Sequence, residues 1–414
     1  MTINFPTKFL LALLLIVPGS VIACTELNKL PEQYSNSYQS EAKKFKKKSI
    51  FKDDHSGVCI RRLTHHDKEP PVGFARADYS RRQLFNSDNS KVVVYSHNGF
   101  WHLYDANSLK YLKQLKGPAS DAEIQWHPTN PNILFFMDTF GGLKFYELDV
   151  RVNRPIVASR FHNRLPWKDA KRLWTRSEGS PSKDGRIWAF LAETSDFKPI
   201  GIVVWDRMAD RVLSHLDLRK LNAPRPDHLS MAPSGKFVVA SWDARDWGTI
   251  AYSQDFKKQF KVHHKSEHSD IALNDKGEDI YVSVDYQSVK GDIFMVNLKT
   301  KEKTVLAQAY VEGTGTALHF SGKAYDKPGW VLMSSYGSSK DKPKKWLHDK
   351  LFMMELKENP RIIEIARHNS KPAGYWTEPH ATVNRDFTKV LFNSNWNNDS
   401  KMDIDTYLIE LKAN

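Results

Sequence analysis

From residue 56 onward the apolar positions fall into short runs with turn chemistry between them. Lys91-Val-Val-Val-Tyr-Ser, Ile133-Leu-Phe-Phe, Gly201-Ile-Val-Val-Trp, Lys236-Phe-Val-Val-Ala, Ile280-Tyr-Val-Ser-Val, Gly329-Trp-Val-Leu-Met and Lys350-Leu-Phe-Met-Met-Glu-Leu are examples. Each is rich in β-branched or aromatic residues and is bounded by Asn, Asp, Ser, Gly or Pro, the pattern of strands joined by tight turns. Amphipathic helical spacing is almost absent, so the pattern predicts an all-β chain. A Ser-Pro-Asp-Gly-like turn recurs as Ser180-Pro-Ser-Lys-Asp-Gly, Ala232-Pro-Ser-Gly and Asn274-Asp-Lys-Gly. Repetition of one supersecondary unit predicts a β-propeller of about seven blades rather than a sandwich. The last unit, Tyr375 to Trp396, reads as strand, turn and strand. In that reading Glu378, His380 and Thr382 share one face, because strand side chains alternate. Val58-Cys-Ile-Arg-Arg-Leu-Thr64 is a further strand candidate, placed to complete the last blade and close the ring.

The chain has 414 residues, 40% hydrophobic and 26% charged, with a formal charge of +13 and a pI near 9.4. This is a globular composition. The excess of basic residues favours either an anionic partner (nucleic acid, anionic lipid or an acidic polymer) or simple solubility. Residues 1–23 read as a secretory signal: Lys8, the apolar run Phe9–Val17, then Val21-Ile-Ala-Cys24. Val-Ile-Ala-Cys also matches a bacterial lipobox. Cys24 is therefore expected either to carry a lipid anchor or to pair with the other cysteine, Cys59. Both place the protein in the periplasm, on the outer membrane or outside the cell. Residues 24–55, with Lys43-Lys-Phe-Lys-Lys-Lys48, read as a tether or surface arm. Residues 56–414 form the propeller.

In a propeller the first strand of each blade lines the central channel, so the residues that open those strands surround one mouth. Aligning the units puts Asp227, His268 and Glu378 at one depth, Asp270 and His380 two residues further in, and His228 and His319 close by. The first unit is expected to open with the strand Arg81–Phe85 and the third at Ser180, and Arg81, Arg82, Arg176 and Glu178 hold related positions in these earlier units. Histidines and carboxylates facing one pocket can hold a transition metal or act as general acid and base. The competing reading is that such residues only hydrogen-bond neighbouring blades. His127 falls in turn chemistry, His65, His66 and His162 in loops, and the adjacent His263 and His264 should diverge. Most tryptophans read as blade packing, and one at the mouth, such as Trp376, could stack on a sugar ring. No Walker loop, dinucleotide fingerprint, Cys-x-x-Cys pair or Gly-x-Ser-x-Gly elbow occurs, which argues against nucleotide and simple serine-hydrolase chemistry.

Ser56-Gly-Val-Cys-Ile-Arg-Arg-Leu-Thr64, Tyr79-Ser-Arg-Arg-Gln-Leu-Phe-Asn-Ser-Asp88 and the histidines of successive late blades resemble the propeller polysaccharide lyases. The likeness is chiefly to oligogalacturonate lyase and more loosely to the propeller ulvan lyases. The resemblance implies β-elimination of uronate-containing acidic oligo- or polysaccharides by a monomer, with no nucleic-acid partner. It implies His228 as proton-abstracting base, and a divalent metal (manganese, zinc or calcium) held by His268, Glu378 and His380. That family's last blade carries Gln-x-x-His-x-His. Here Glu378-Pro-His380 stands alone, and His319 is the substitute for the missing histidine. Elimination needs positive charge against the developing enolate, for which the metal, Arg81, Arg82 and Arg176 are the candidates. Arg82, Tyr79 and Trp376 are expected to contact substrate. The other readings are a non-catalytic envelope propeller that binds a glycan or protein, and a metal-dependent hydrolase using the same mouth.

Overall fold

A computed structural model describes residues 50–53, 55–69, 73–120, 122–138, 140–244, 246–337 and 344–411. The signal segment, Cys24 and most of the 24–55 arm lie outside these residues. Seven antiparallel sheets form a seven-bladed β-propeller, six of them four-stranded and one five-stranded. The innermost strands of blades one to seven are Ala75–Arg76, Gln125–Trp126, Arg172–Trp174, His228–Met231, Ser269–Leu273, Ala317–Ser321 and Thr382–Val383. Among the described residues the only helix is the short 3-10 turn Tyr375–Thr377. No described helix is long and apolar enough to cross a membrane.

The ring closes as the N-terminal strand candidate predicts. Cys59–Arg62 pairs with Asp405–Glu410, so both chain ends share blade seven. Ile50–Lys52 adds a fifth strand outside it, taking the propeller a few residues into the expected arm. Asp405 locks the closure. Its Oδ1 accepts hydrogen bonds from the Thr64 hydroxyl (3.0 Å) and the His66 amide (2.8 Å), while Oδ2 pairs with Arg62 (2.5 Å) and lies 2.9 Å from His66 Nδ1.

The apolar runs interdigitate between blades. Trp101, Trp188, Trp205 and Trp242 are fully buried. Phe145 packs edge-on against Trp188 and Trp205, with centroids 5.0 Å apart in each case. The repeated turn needs a left-handed residue, and Gly185 (φ 64°) and Gly235 (φ 74°) supply it without a Cβ clash against their own carbonyl.

Three expected strands differ. Arg81–Phe85 is not the inner strand of blade one; Ala75–Arg76 is, and the later segment makes only a single bridge, Phe85 to Val92. Blade three likewise begins at Arg172–Trp174 instead of at Ser180. Tyr375–Ala381 is not a strand. The Thr377 hydroxyl donates to Gly374 O at 2.7 Å and curls the chain into a turn. Pro379 then offers no amide for a ladder, and only Thr382–Val383 pairs.

Candidate functional site

His319 lies in the inner strand of blade six, and Glu378 and His380 approach it from the turn that precedes blade seven. His319 Nε2 donates to Glu378 Oε2 at 2.8 Å. His380 Nε2 stands 3.3 Å from the same oxygen, within reach of its charge but not aligned as a hydrogen bond. His380 reaches this point with a left-handed backbone, φ 38°, rather than through strand alternation. One ligand atom from each of the three residues lies within 4.8 Å of the others. His380 is fully buried, yet neither ring nitrogen has a hydrogen-bond partner, and Nδ1 of His319 has none either, among the described residues. Unsatisfied buried polar atoms cost about 1–3 kcal/mol each. A cation accepting the imidazole lone pairs would remove that cost, and two imidazoles with a carboxylate are a fitting donor set.

The protonation states suit that role. Burial drives His319 well below its ordinary value, helped by His268 and Arg81. Burial also takes His380 down to about 3, partly offset by Glu378. Both rings are neutral near pH 7, the form in which imidazole ligates. His268 sits beside the group, its ring centroid 4.4 Å from that of His319, although it is not one of the three converging ligands. Its Nδ1 must donate to the Leu318 carbonyl at 2.9 Å, which leaves Nε2 with the lone pair.

Aromatic rings enclose the cluster. Tyr336 stacks on His319 at 4.6 Å, nearly parallel, with its hydroxyl 3.3 Å from His268 Nδ1. The buried Tyr79 lies 5.2 Å from His319 and 5.1 Å from His380, between centroids. Tyr79 is therefore wall rather than open contact surface, and burial pushes its hydroxyl pKa up. Tyr375 packs 4.9 Å from His380 and 4.6 Å from Trp376. Trp376 keeps 42% of its surface exposed, as a sugar-stacking residue needs, and covers the Arg76 guanidinium at 3.4 Å.

His228 opens the inner strand of blade four and is buried. Its Nδ1 is 2.9 Å from Ser177 O and 3.1 Å from Arg176 O. Carbonyls only accept, so Nδ1 carries the hydrogen and Nε2 the lone pair. Burial and then Arg81 hold the ring well below its ordinary value, so it stays neutral. The arginines separate sharply. Arg82 is 3% exposed and bonded to Asp78, Glu123 (3.3 Å) and Ile124 O (2.9 Å), so the expected substrate contact is spent inside the fold. Arg81 lies over Tyr79 at 4.6 Å with its nearest carboxylate, Glu178, 3.8 Å away. Arg176 is half-buried, donating to Ser177 Oγ at 3.0 Å. Nε of both Arg81 and Arg176 is buried without a partner among the described residues. Asp270 forms a buried ion pair with Lys323 at 2.8 Å and is structural. His263 and His264 do not diverge. The strand ends at His263, and the two rings meet at 4.4 Å.

The sequence reading missed Tyr336, Tyr375, Arg76 and Glu123, for which no local motif exists. A groove of about 650 Å³ beside Val305, Tyr310, Trp346 and Ile362, on blades five and six, shares none of the site residues.

The molecule is thus a seven-bladed β-propeller with a histidine–carboxylate centre built where its late blades begin. Among solved structures it is similar to an oligogalacturonate lyase in complex with manganese, at 17% identity over 88% of this chain and 96% of that chain, with a TM-score of 0.60. It is also similar to the oligogalacturonate lyase of Vibrio parahaemolyticus, at 13% identity, the same coverage and a TM-score of 0.62. The Pan2 WD40 domain of Neurospora crassa follows, at 12% identity over 85% and 96% of the two chains, with a TM-score of 0.50. The sequence matches no family model and no curated protein. At these identities the likeness establishes the propeller fold.

Proposed function

We propose that this protein is an exported lyase of uronate-containing acidic oligo- or polysaccharides. The observation that carries the reading is the convergence of His319, Glu378 and His380, with orphaned imidazole nitrogens, in a site that also holds the neutral His228 and the under-paired Arg81. His319, Glu378 and His380 would hold a divalent cation, with His268 beside them. The ion would supply charge to the substrate carboxylate. His228 Nε2 would take the proton from the carbon next to that carboxylate. Its tautomer is fixed by the Ser177 and Arg176 carbonyls, so the lone pair needs no rearrangement. Arg81 and Arg176 each retain guanidinium donors for the enolate, and Trp376 offers a face for a pyranose ring. The net charge of +13 suits a polyanionic substrate.

The test is ultraviolet absorbance during incubation with a panel of polyuronates and their oligomers, with and without a chelator. A rise on one substrate, abolished by the chelator, is expected. Depolymerisation without absorbance would replace elimination by hydrolysis. Binding without either would make this a glycan-recognising propeller.

A further inference from the structure

The segment Arg176-Ser-Glu-Gly179 is held in an uncommon backbone. Ser177 (φ 51°) and Glu178 (φ 59°) are consecutive non-glycine residues in the left-handed region. Such conformations persist only where the surroundings over-determine them, and they cluster at functional sites. The segment is fastened on both sides. From blade two, Glu123 Oε1 accepts the Glu178 amide at 3.2 Å, and Gln125 donates to Gly179 O at 3.0 Å. From blade four, His228 Nδ1 and the Leu229 amide (3.1 Å) bind its carbonyls. A Cβ on Gly179 would stand 1.8 Å from Leu229 O, so the contact admits no side chain.

Two glutamates meet here, one saturated by its neighbours and the other not. Glu123 is 5% exposed, and its oxygens accept from Arg82 (3.3 Å), Thr175 Oγ1 (3.1 Å) and the Glu178 amide. Burial pushes Glu123 upward too, opposed by Arg82 and by the bonds from the Glu178 amide and Thr175. Glu178 keeps 23% of its side chain exposed, and its ion-pair partner Arg81 is 3.8 Å away, beyond hydrogen-bond length. Burial and the neighbouring Glu123 charge push Glu178 upward, Asp78 adds to this, and Arg81 and Arg82 oppose it. A substrate carboxylate arriving nearby would push in the same direction. Glu178 is thus pushed upward while His228 is held well below its ordinary value, and two titratable groups driven apart in this way make an acid and a base assignable. The base is His228, whose ring hangs from the residue next to Glu178.

We propose that Glu178 is the proton donor to the leaving glycosidic oxygen, working with His228 as base. This rests on the lyase reading. His228 Nε2 takes the proton from the carbon beside the uronate carboxylate, and that C–H pair becomes the new ring double bond. The adjacent C–O bond breaks with its electron pair going to oxygen, which receives the Glu178 proton. Exchange with water then returns the proton from His228 to Glu178, so no other reactant is needed. The Arg176–Gly179 loop becomes the part that fixes acid and base relative to each other.

Two substrates test this: an oligouronate, whose alkoxide leaving group needs a proton, and a uronoside with fluoride at the same carbon, which leaves without one. Glu178→Gln keeps the shape and loses the donor. It is expected to lose about 10²–10⁴-fold on the oligouronate and to stay within a few-fold of wild type on the fluoride, whereas His228→Asn loses both. Glu178→Ala is the second variant, with added acetic acid expected to restore part of the oligouronate rate. Equal losses on the two substrates, or an unimpaired oligouronate rate in E178Q, would overturn the assignment and leave the lyase reading intact. A wild-type protein that forms unsaturated product from neither substrate would remove the lyase reading and this proposal with it.

Discussion

Replacing His228 by asparagine separates catalysis from folding. The amide nitrogen of asparagine falls close to the imidazole Nδ1, so it can still donate to Ser177 O and Arg176 O, the bonds made at 2.9 and 3.1 Å. What disappears is Nε2, the proposed base. Loss of a positioned base costs about 10²–10⁴-fold in rate, or roughly 2.7–5.5 kcal/mol of barrier at about 1.36 kcal/mol per decade. Alanine removes the donor as well. Arg176 O keeps the Leu229 amide at 3.1 Å, so one half-buried carbonyl, Ser177 O, loses its partner. That should cost about 1–3 kcal/mol of stability, before any relaxation of the left-handed residues it restrains. The two variants should therefore share their inactivity and differ in urea midpoint, with H228N near wild type and H228A below it. Initial rates by absorbance of the unsaturated product, with urea unfolding by tryptophan fluorescence, read both. An asparagine variant within tenfold of the wild-type kcat would show that His228 is not the base, whatever the stability data say.

Manganese titration by calorimetry should show one site in the wild-type protein and at least about tenfold weaker binding in His380→Ala, scaled to the effect of disturbing a ligand shell; unchanged affinity would place the cation elsewhere. Asp405→Asn leaves Arg62, whose side chain is 2% exposed, without its closest counter-charge. Breaking a buried pair in this way costs about 3–5 kcal/mol, and a loss under about 1 kcal/mol would mean that the ring closure does not depend on it. His102, His348 and His368, none of them among the proposed ligands, are each held down to about 4, chiefly by burial. The unfolded chain then binds more protons below about pH 6.5, so the contribution is complete above that value and is lost as pH falls toward 4. From pH 7 to 5 each histidine should remove about 1–2 kcal/mol, and urea midpoints that do not move across that interval would contradict the burial argument.

The strands were legible because their causes are local. Val92–Val94 and Val238–Ala240 alternate or run apolar between glycine turns, and Cys59–Arg62 needed only a partner strand, which the ring supplies in Asp405–Glu410. The histidines of the late blades were legible for the same reason, since the start of an inner strand is a fixed place in a repeat. The local pattern failed where turns intervene. Glu378 and His380 do meet, but through a 3-10 turn and a left-handed His380, so period-two alternation reached the right pair by the wrong geometry. It failed again for the arginines. Arg81 and Arg82 are neighbours with the same chemistry, yet Arg82 is saturated by Asp78, Glu123 and Ile124 O while Arg81 keeps an orphaned Nε above Tyr79. Only one of Arg82's partners, Asp78, sits within a few residues; Ile124 and the deciding one, Glu123, lie 42 and 41 residues further along. The same carboxylate holds the Glu178 amide, and its charge adds to the burial that pushes Glu178 upward. A residue that no motif marks thus fixes one arginine as structural, leaves the other available, and tunes the proposed donor. Repeat position tells where chemistry can sit in a propeller, and contacts between blades decide which residue there is free to perform it.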